Sequence, residues 1–246
     1  MKTPVLILAH NNLPSLKRCL NSVCGQDANV SVFVIDNDSS DDTESWLSSD
    51  EYTGIWQRFS PQLGVSGGWN YGLNKLFYDP IWNASCVLCL NSDTIIPPWF
   101  LRELASSGYL YDKAEFVTGS ETNKLEELDT IRDFQQPHPS PDFSCFLIGR
   151  SVWEKVGQFD ETMKNWCSDL DYHYRAHRLG INLWRSGVIY YHERSTTIRN
   201  APPKERRALE MQADSDRLTL FEKWGAHAGP EFHALFTPST FGIANK

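Results

Sequence analysis

No stretch of this sequence comes near the run of about 20 apolar residues that a membrane-spanning helix needs. The first apolar run, Val5 to Ala9, is too short and turns polar too quickly for a secretory leader. Both absences lead us to expect a soluble, cytoplasmic protein. Positive charge is scarce as well: 23 Lys and Arg stand against 31 Asp and Glu, a net charge of −8. Attraction to a nucleic-acid phosphate backbone is therefore weakly excluded as the main driving force for binding. The six cysteines, at 19, 24, 86, 89, 145 and 167, lack metal-site spacing. Cys86 and Cys89 do form a C-x-x-C, but they lie in an apparent strand, where residues three apart face opposite sides. Small buried thiols in a reducing compartment fit better. The common phosphate-binding signatures are missing too: there is no G-K-[ST] and no G-x-G-x-x-G.

What is present suffices for a folded core. The 246 residues are 41% hydrophobic and 13% aromatic, the wrong composition for a disordered chain and the right length for one large α/β domain or two small ones. Residues 4–9 and 30–35 read as strands apolar on both faces, which places them centrally in a mostly parallel sheet. Between them Leu13, Leu16, Leu20 and Val23 recur at helical spacing, with Asn12 as the expected N-cap and Pro14 in the first turn. A short helix near Asp41 carries Trp46 and Leu47. The resulting β-α-β-α pattern opens a nucleotide-binding half-sheet. Further strands are expected at 55–59, 85–90, 114–119, 143–149, 181–184 and 187–191. Further helices are expected from the glycine-rich segment to Tyr78, over 98–107, from Ser151 with Glu154 as a capping box, from Ser168 to Leu179 with Ser168 as cap, and over 204–224. The stretch 121–142 reads as loop, and 226–246 as a tail without periodicity.

Four places carry polar residues where chemistry is expected. Cys86-Val-Leu-Cys-Leu-Asn-Ser-Asp-Thr94 is an apolar strand that breaks into Asn91-Ser92-Asp93, at the sheet edge where ligands bind in open α/β folds. Asn, Ser and Asp also favour turns on their own, so the residues leave a turn and a binding loop both open. Gln62-Leu-Gly-Val-Ser-Gly-Gly-Trp-Asn-Tyr-Gly-Leu73 has glycines that allow close backbone approach to a ligand at the start of a helix. In Ser168-Asp169-Leu170-Asp171, two residues on a helix turn about 200°, so the two acids face different ways. Arg175, four residues after Asp171, suits a structural ion pair, which leaves Asp169 to face a site. His192 ends a strand, where it suits a metal or a buried hydrogen bond equally.

Taken in order, these phrases resemble the family 2 glycosyltransferases of the GT-A fold. The matching segments are Val5–Asn12 with Cys19–Val23, Val34–Thr43, Leu63–Gly72, Leu90–Thr94, Cys145–Arg150 with Val156–Glu161, Ser168–Asp171 and Tyr191-His192, together spanning about residues 3–225. The look is closest to the branch that transfers rhamnose or galactofuranose-type sugars, which shares Asn-x-Asp in place of Asp-x-Asp and a closing Lys-Trp-Gly like Lys223-Trp224-Gly225.

The resemblance implies a single GT-A domain over residues 1–225, with a Rossmann-like mixed, mostly parallel sheet flanked by helices. Residues 1–95 would bind the nucleotide sugar, 96–200 the acceptor, and 201–225 would form a C-terminal helix. Ala9, His10, Asn11, Asp36, Asn37, Gly64, Gly67, Asn70, Asn91, Ser92 and Asp93 would contact the donor. Asp93 and His192 would hold Mn²⁺ or Mg²⁺, and Asp169 would be the general base of an inverting transfer to an acceptor hydroxyl. Asn91, Gln62 and Ser168 depart from the family pattern, and the first and third leave fewer negative charges near the metal. The implied partner is a nucleoside-diphosphate sugar. The acceptor could be a saccharide, a protein, a small molecule or a modified base. Asn91 and Ser168 also motivate an alternative, a catalytically silent nucleotide-sugar-binding protein of the same fold.

Overall fold

In the computed structural model, which describes residues 2–106, 116–137, 143–194 and 201–236, the chain opens with β1 (Thr3–Ala9), α1 (Leu13–Cys24) and β2 (Val30–Asn37). Next come α2 (Thr43–Leu47), β3 (Ile55–Phe59), α3 (Gly64–Tyr78), β4 (Cys86–Asn91), β5 (Thr94–Ile95) and α4 (Phe100–Ser106). The second half holds β6 (Phe116–Thr122), β7 (Ile131–Pro137), β8 (Cys145–Gly149), α5 (Arg150–Val156), α6 (Ser168–Arg178), β9 (Leu183–His192), α7 (Pro203–Trp224) and α8 (Pro230–His233). The expectations for residue 107, 114–115, 138–142 and 237–246 lie outside the described residues. No described helix is long and apolar enough to cross a membrane.

The strands form one mixed sheet in the order β3-β2-β1-β4-β8-β6-β9-β5, with β7 also on β9. Parallel pairing dominates only its first part, β3-β2-β1-β4; beyond β4, β6–β9 alone is parallel. The apolar runs alternate between two cores. Leu6 and Leu8 of β1 face the layer holding α3, α5 and α6, while Val5, Ile7 and Ala9 face α1 and α4. Such two-sided burial is why these strands read as continuous apolar runs.

Several helix and strand boundaries differ from expectation for physical reasons. Asn12 does not cap α1 with its side chain. Its backbone is left-handed (φ 60°), and Asp41 reaches across from the neighbouring loop to accept the Leu13 N–H at 3.0 Å. Ser168 is the first residue of α6 rather than its cap, because Cys167 enters the helix in a left-handed turn (φ 64°). The Ser151 capping box does not form; α5 begins one residue earlier, and Arg150 bonds the Ala84 carbonyl instead. The strands expected at 181–184 and 187–191 are one strand, β9. Within the stretch read as loop, a 3₁₀ turn spans Leu125–Glu127 and β7 pairs with β9. The stretch read as tail packs Ala226, Phe232 and Phe236 against Met163, Cys167 and Leu220, as far as residue 236.

The glycines of α3 serve the sheet before they serve any ligand. A Cβ on Gly72 would stand 2.4 Å from a Leu6 methyl, and one on Gly68 2.5 Å from a Leu8 methyl. Their absence lets α3 lie directly on β1. All six cysteines are free. Cys19, Cys89, Cys145 and Cys167 are buried, Cys86 is half-buried and Cys24 is exposed. Burial pushes the Cys19 and Cys167 thiols up to about 12, so both stay protonated and inert near neutrality.

Candidate active site

Strand register brings the carboxyl ends of three strands to one level. Ala9 pairs with Asp36, and Leu8 pairs with both Ile35 and Asn91. The loops that follow therefore share one edge of the sheet. Asn91-Ser92-Asp93 is indeed a turn, connecting β4 to β5, and it is pinned on three sides. The Asn91 N–H donates to the Ser144 carbonyl at 2.8 Å, the Ser92 N–H to Leu8 at 3.2 Å, and the Asp93 carbonyl accepts from Glu193 at 3.1 Å. Pairing of Thr94 with His192 then sets Asp93 beside the end of β9. Asp93 Oδ1 lies 3.2 Å from His192 Nε2, with each side chain about one-seventh exposed.

A cavity of about 270 Å³ opens at this edge, lined by Ala9, His10, Asn12, Asn37, Gln62, Asn91, Ser92, Asp93, Asn165, Trp166, His192 and Leu209, among others. A second, of about 310 Å³, adjoins it through shared Val65, Asn91, Asn165, Trp166 and His192. Ser168 and Asp169 line this second cavity beside Trp69, Phe143 and Phe159. Burial among these apolar walls raises the Asp169 carboxyl above the ordinary carboxylate range, and a 2.9 Å hydrogen bond from the Leu170 N–H offsets part of the rise. A carboxylate raised in this way is a stronger base than one in water.

The remaining expected donor contacts either line the cavity, as His10 and Asn37 do, or lie behind its wall and hold it. Asn37 accepts from the Leu63 N–H (2.8 Å) and donates to the Gly64 carbonyl (3.0 Å), clamping the start of α3 to the end of β2. Gly64 needs its left-handed backbone (φ 74°) there, with the Lys164 carbonyl 2.9 Å from where a Cβ would be. Gly67 lies against Leu63 and Glu161. Asn70 is buried and bonds both the N–H and the carbonyl of Phe159, plus Glu161. Asn11 accepts from the Ser40 and Asp41 N–H groups, and His10 Nδ1 sits 2.8 Å from the Asn37 carbonyl. Asp36 is fully buried, accepting from the Ser39 N–H and from Arg58.

Asp171 takes the structural place expected of it. It is fully buried and accepts from Arg175, from Trp224 Nε1 at 2.9 Å and from Lys223 at 2.8 Å. The closing Lys-Trp pair thus grips α6 one turn from Asp169's end.

Three contributors escaped the sequence. Glu121, at the end of β6, meets His192 Nδ1 at 3.1 Å and is itself held by Arg194. Asp216 on α7 is fully buried and accepts the N–H groups of Lys164, Asn165 and Trp166 at 2.9–3.1 Å, fixing the segment shared by both cavities. Leu209, also on α7, lines the first cavity. No local signal marks the two acids, since each acts on a residue some 50 or more positions away; only the pairing of β6 with β9 and the docking of α7 reveal them.

Asp93 offers a hard oxygen and His192 an imidazole nitrogen, converging beside the first cavity, and that pair suits Mn²⁺ with remaining positions left to phosphate and water. Among the described residues no group of three or more His, Cys, Asp or Glu is placed to hold a metal.

Comparisons with known proteins agree with this architecture. The model of glycosyl transferase family 2 matches residues 5–154. The low-salt glycan biosynthesis hexosyltransferase Agl10 of Haloferax volcanii is 26% identical over 206 residues, covering 75% of this chain; the chain spans 64% of that relative's length. The mannosyltransferase PcManGT of Pyrobaculum calidifontis, solved with GDP-Man and Mn²⁺, superposes with a TM-score of 0.63 at 16% identity, covering 96% of this chain and 68% of its own. GalNAc-T7, solved with UDP, GalNAc and Mn²⁺, gives 0.61 at 12% identity, covering 78% and 44%. These likenesses fix the fold as GT-A, and with more than half of its length matched by the family model, the chain belongs to glycosyl transferase family 2.

Proposed function

We propose that this protein is an inverting, divalent-cation-dependent glycosyltransferase, moving a hexosyl, deoxyhexosyl or pentosyl group from a nucleoside-diphosphate sugar to an acceptor hydroxyl. The observation that carries the reading is the pair of adjoining cavities. Asp93 and His192 stand at one and Asp169 at the other, with Asn91, Asn165, Trp166 and His192 as common wall.

In this reading residues 1–95 hold the donor, 96–200 shape the acceptor side and 201–225 brace both. His10, Asn37, Asn91 and Ser92 face the donor; Asn11, Asp36, Gly64, Gly67 and Asn70 keep the wall in place behind them. Asp93 and His192 would hold Mn²⁺ or Mg²⁺, which when bound neutralises charge on the diphosphate leaving group. Asp169 takes the proton of the acceptor hydroxyl as its oxygen forms a bond to the anomeric carbon. The bond to the diphosphate oxygen breaks on the opposite face, so the configuration inverts. Asn91 two residues before Asp93, and Lys223-Trp224-Gly225, support a rhamnose- or galactofuranose-type donor.

Thermal shift against UDP, GDP and dTDP and their sugars, with and without Mn²⁺, tests the donor and cation together. One nucleotide class is expected to raise Tm, and more so with Mn²⁺. No response to any nucleotide would sink the reading. Binding without release of free nucleoside diphosphate across a wide acceptor panel would favour a silent binding protein, the second reading that Asn91 and Ser168 motivate.

A further inference from the structure

The histidine of the cation pair is held from behind. Its two ring nitrogens point to opposite sides, and each meets a carboxylate: Nε2 faces Asp93 at 3.2 Å, and Nδ1 faces Glu121 Oε1 at 3.1 Å. Glu121 is only about one-tenth exposed. Its orientation is not free, because the Arg194 guanidinium donates to both of its oxygens, Nε to Oε1 and a terminal nitrogen to Oε2. Backbone pairing sets the arrangement: Glu121 and Thr122 of β6 run beside Tyr190 and Tyr191 of β9, and His192 follows in register with Thr94.

We infer that Glu121 is the positioning residue of this site, fixing the His192 tautomer that leaves Nε2 able to bind a divalent cation. An ionised carboxylate can only accept a hydrogen bond, and of the two carboxylates it is Glu121 that meets the ring with hydrogen-bond geometry, at Nδ1, whereas Asp93 makes a charge contact at Nε2. The proton of a neutral imidazole is therefore drawn to Nδ1 and the Nε2 lone pair is left on the side of Asp93. The carboxylate also raises the basicity of the ring, as partners behind a metal-binding histidine do. Arg194 holds the plane of the carboxylate and balances its charge, so Glu121 serves as an acceptor rather than a competing ligand. The stretch 121–142, read from the sequence as loop, thereby begins with a residue that acts on the cation through another side chain. This inference rests on the cation reading given above.

The test uses two readouts on the full chain. The first is nitrogen-15 NMR of the His192 ring without metal, at a pH of about 8.5, well above the ordinary histidine value, with His192→Ala to assign the signal. The wild type is expected to show the Nδ1–H form, and Glu121→Ala a shift toward Nε2–H. Glu121→Gln keeps the size and one acceptor oxygen, so it keeps more of the Nδ1–H form and guards against an Ala variant that fails to fold. The second readout is Mn²⁺ affinity, measured by the electron paramagnetic resonance of free Mn²⁺, alone and with pyrophosphate standing in for the donor diphosphate. Affinity is expected to fall about 10–100-fold in Glu121→Ala and less in Glu121→Gln. An Nε2–H ring in the wild type overturns the inference, as does a tautomer and affinity unchanged in Glu121→Ala while His192→Ala weakens Mn²⁺. If His192→Ala leaves Mn²⁺ affinity unchanged, the cation reading itself fails, and the role given to Glu121 falls with it.

Discussion

On the proposed donor side of the cleft, the loops after β1 and β2 are tied to each other and to α3 by their own asparagines: Asn11 to Ser40 and Asp41, Asn37 to Leu63 and Gly64. On the proposed acceptor side, the 164–166 segment touches α3 through Asn165, which accepts the Val65 N–H at 3.1 Å, but its own backbone N–H groups hang from Asp216 on α7, and the site histidine leans on Glu121 across a strand. The donor wall is thus stitched by loop residues that neighbour the site, the acceptor wall by buried carboxylates arriving from elsewhere. Damage should follow the same division: a donor-side change costs a local increment of stability, whereas an acceptor-side change displaces groups to which the proposed reaction assigns the chemistry.

The largest effect is expected at the acceptor wall itself. Asp169→Asn should lower kcat about 10²–10⁴-fold with little change in donor binding, measured as turnover against nucleotide affinity. Wild-type turnover in this variant would remove Asp169 as base. Since burial raises the Asp169 carboxyl, the acid limb of the wild-type kcat profile should lie above the ordinary carboxylate range: activity is full at higher pH, where the base is ionised, and falls as it takes up a proton. A limb at or below the ordinary value would mean that the walls do not desolvate it.

Next in size is Asp216→Ala, which removes the buried acceptor shared by the N–H groups of Lys164, Asn165 and Trp166. A stability loss of about 3 kcal/mol is expected, with kcat reduced as well, since Asn165 and Trp166 line both cavities. Denaturant unfolding and steady-state kinetics together decide; a stability loss with unchanged kinetics would place the segment outside the reaction. Gly72→Ala should cost about 1–3 kcal/mol by overpacking α3 on Leu6, read as a lower Tm with kinetics preserved below it.

Smallest is Asp41→Asn on the donor side. Burial alone would raise this carboxyl, but hydrogen bonds from Thr43, Leu13 and Asn12 outweigh it and hold it below the ordinary value. Its folded-state affinity for protons is thus depressed, so its stabilisation is full above the ordinary carboxylate range and disappears as pH falls through the lowered value. The variant should lose about 1 kcal/mol near neutrality, the scale of a helix cap, and nothing in strong acid. A pH-independent difference would show that the cap works without its charge.

The same division explains what could be read from the sequence. The donor half announced itself because each strand is an apolar run and each loop sits immediately after one; Ala9, Asp36 and Asn91 fall in register without any knowledge of distant residues. Asp169 and Asp171 could be separated by helix geometry and the spacing to Arg175 alone. What local pattern could not supply was cross-chain capping, so Asn12 and Ser168 were expected to cap helices that Asp41 and a left-handed Cys167 begin instead. Nor could it supply β7, whose pairing with β9 is invisible in a stretch rich in charge and proline, nor the roles of Glu121 and Asp216. The glycines of Leu63–Gly72 were legible as a need for close approach, but what Gly68 and Gly72 approach is β1.

One property of β9 reaches beyond geometry. His192 is a ladder residue, paired with Thr94 on one side of a strand whose other side runs beside Glu121 and Thr122. The separation of Asp93 and His192, the proposed cation pair, is therefore quantised. A slip of one residue between β9 and β5 would turn His192 to the opposite face, and no intermediate spacing exists. Surrounding loops can lengthen, shorten or drift in sequence without detuning the pair, while any change that shifts the ladder abolishes it outright. A site of this kind tolerates wide variation in what it binds around its edges, and almost none in the strand that defines it.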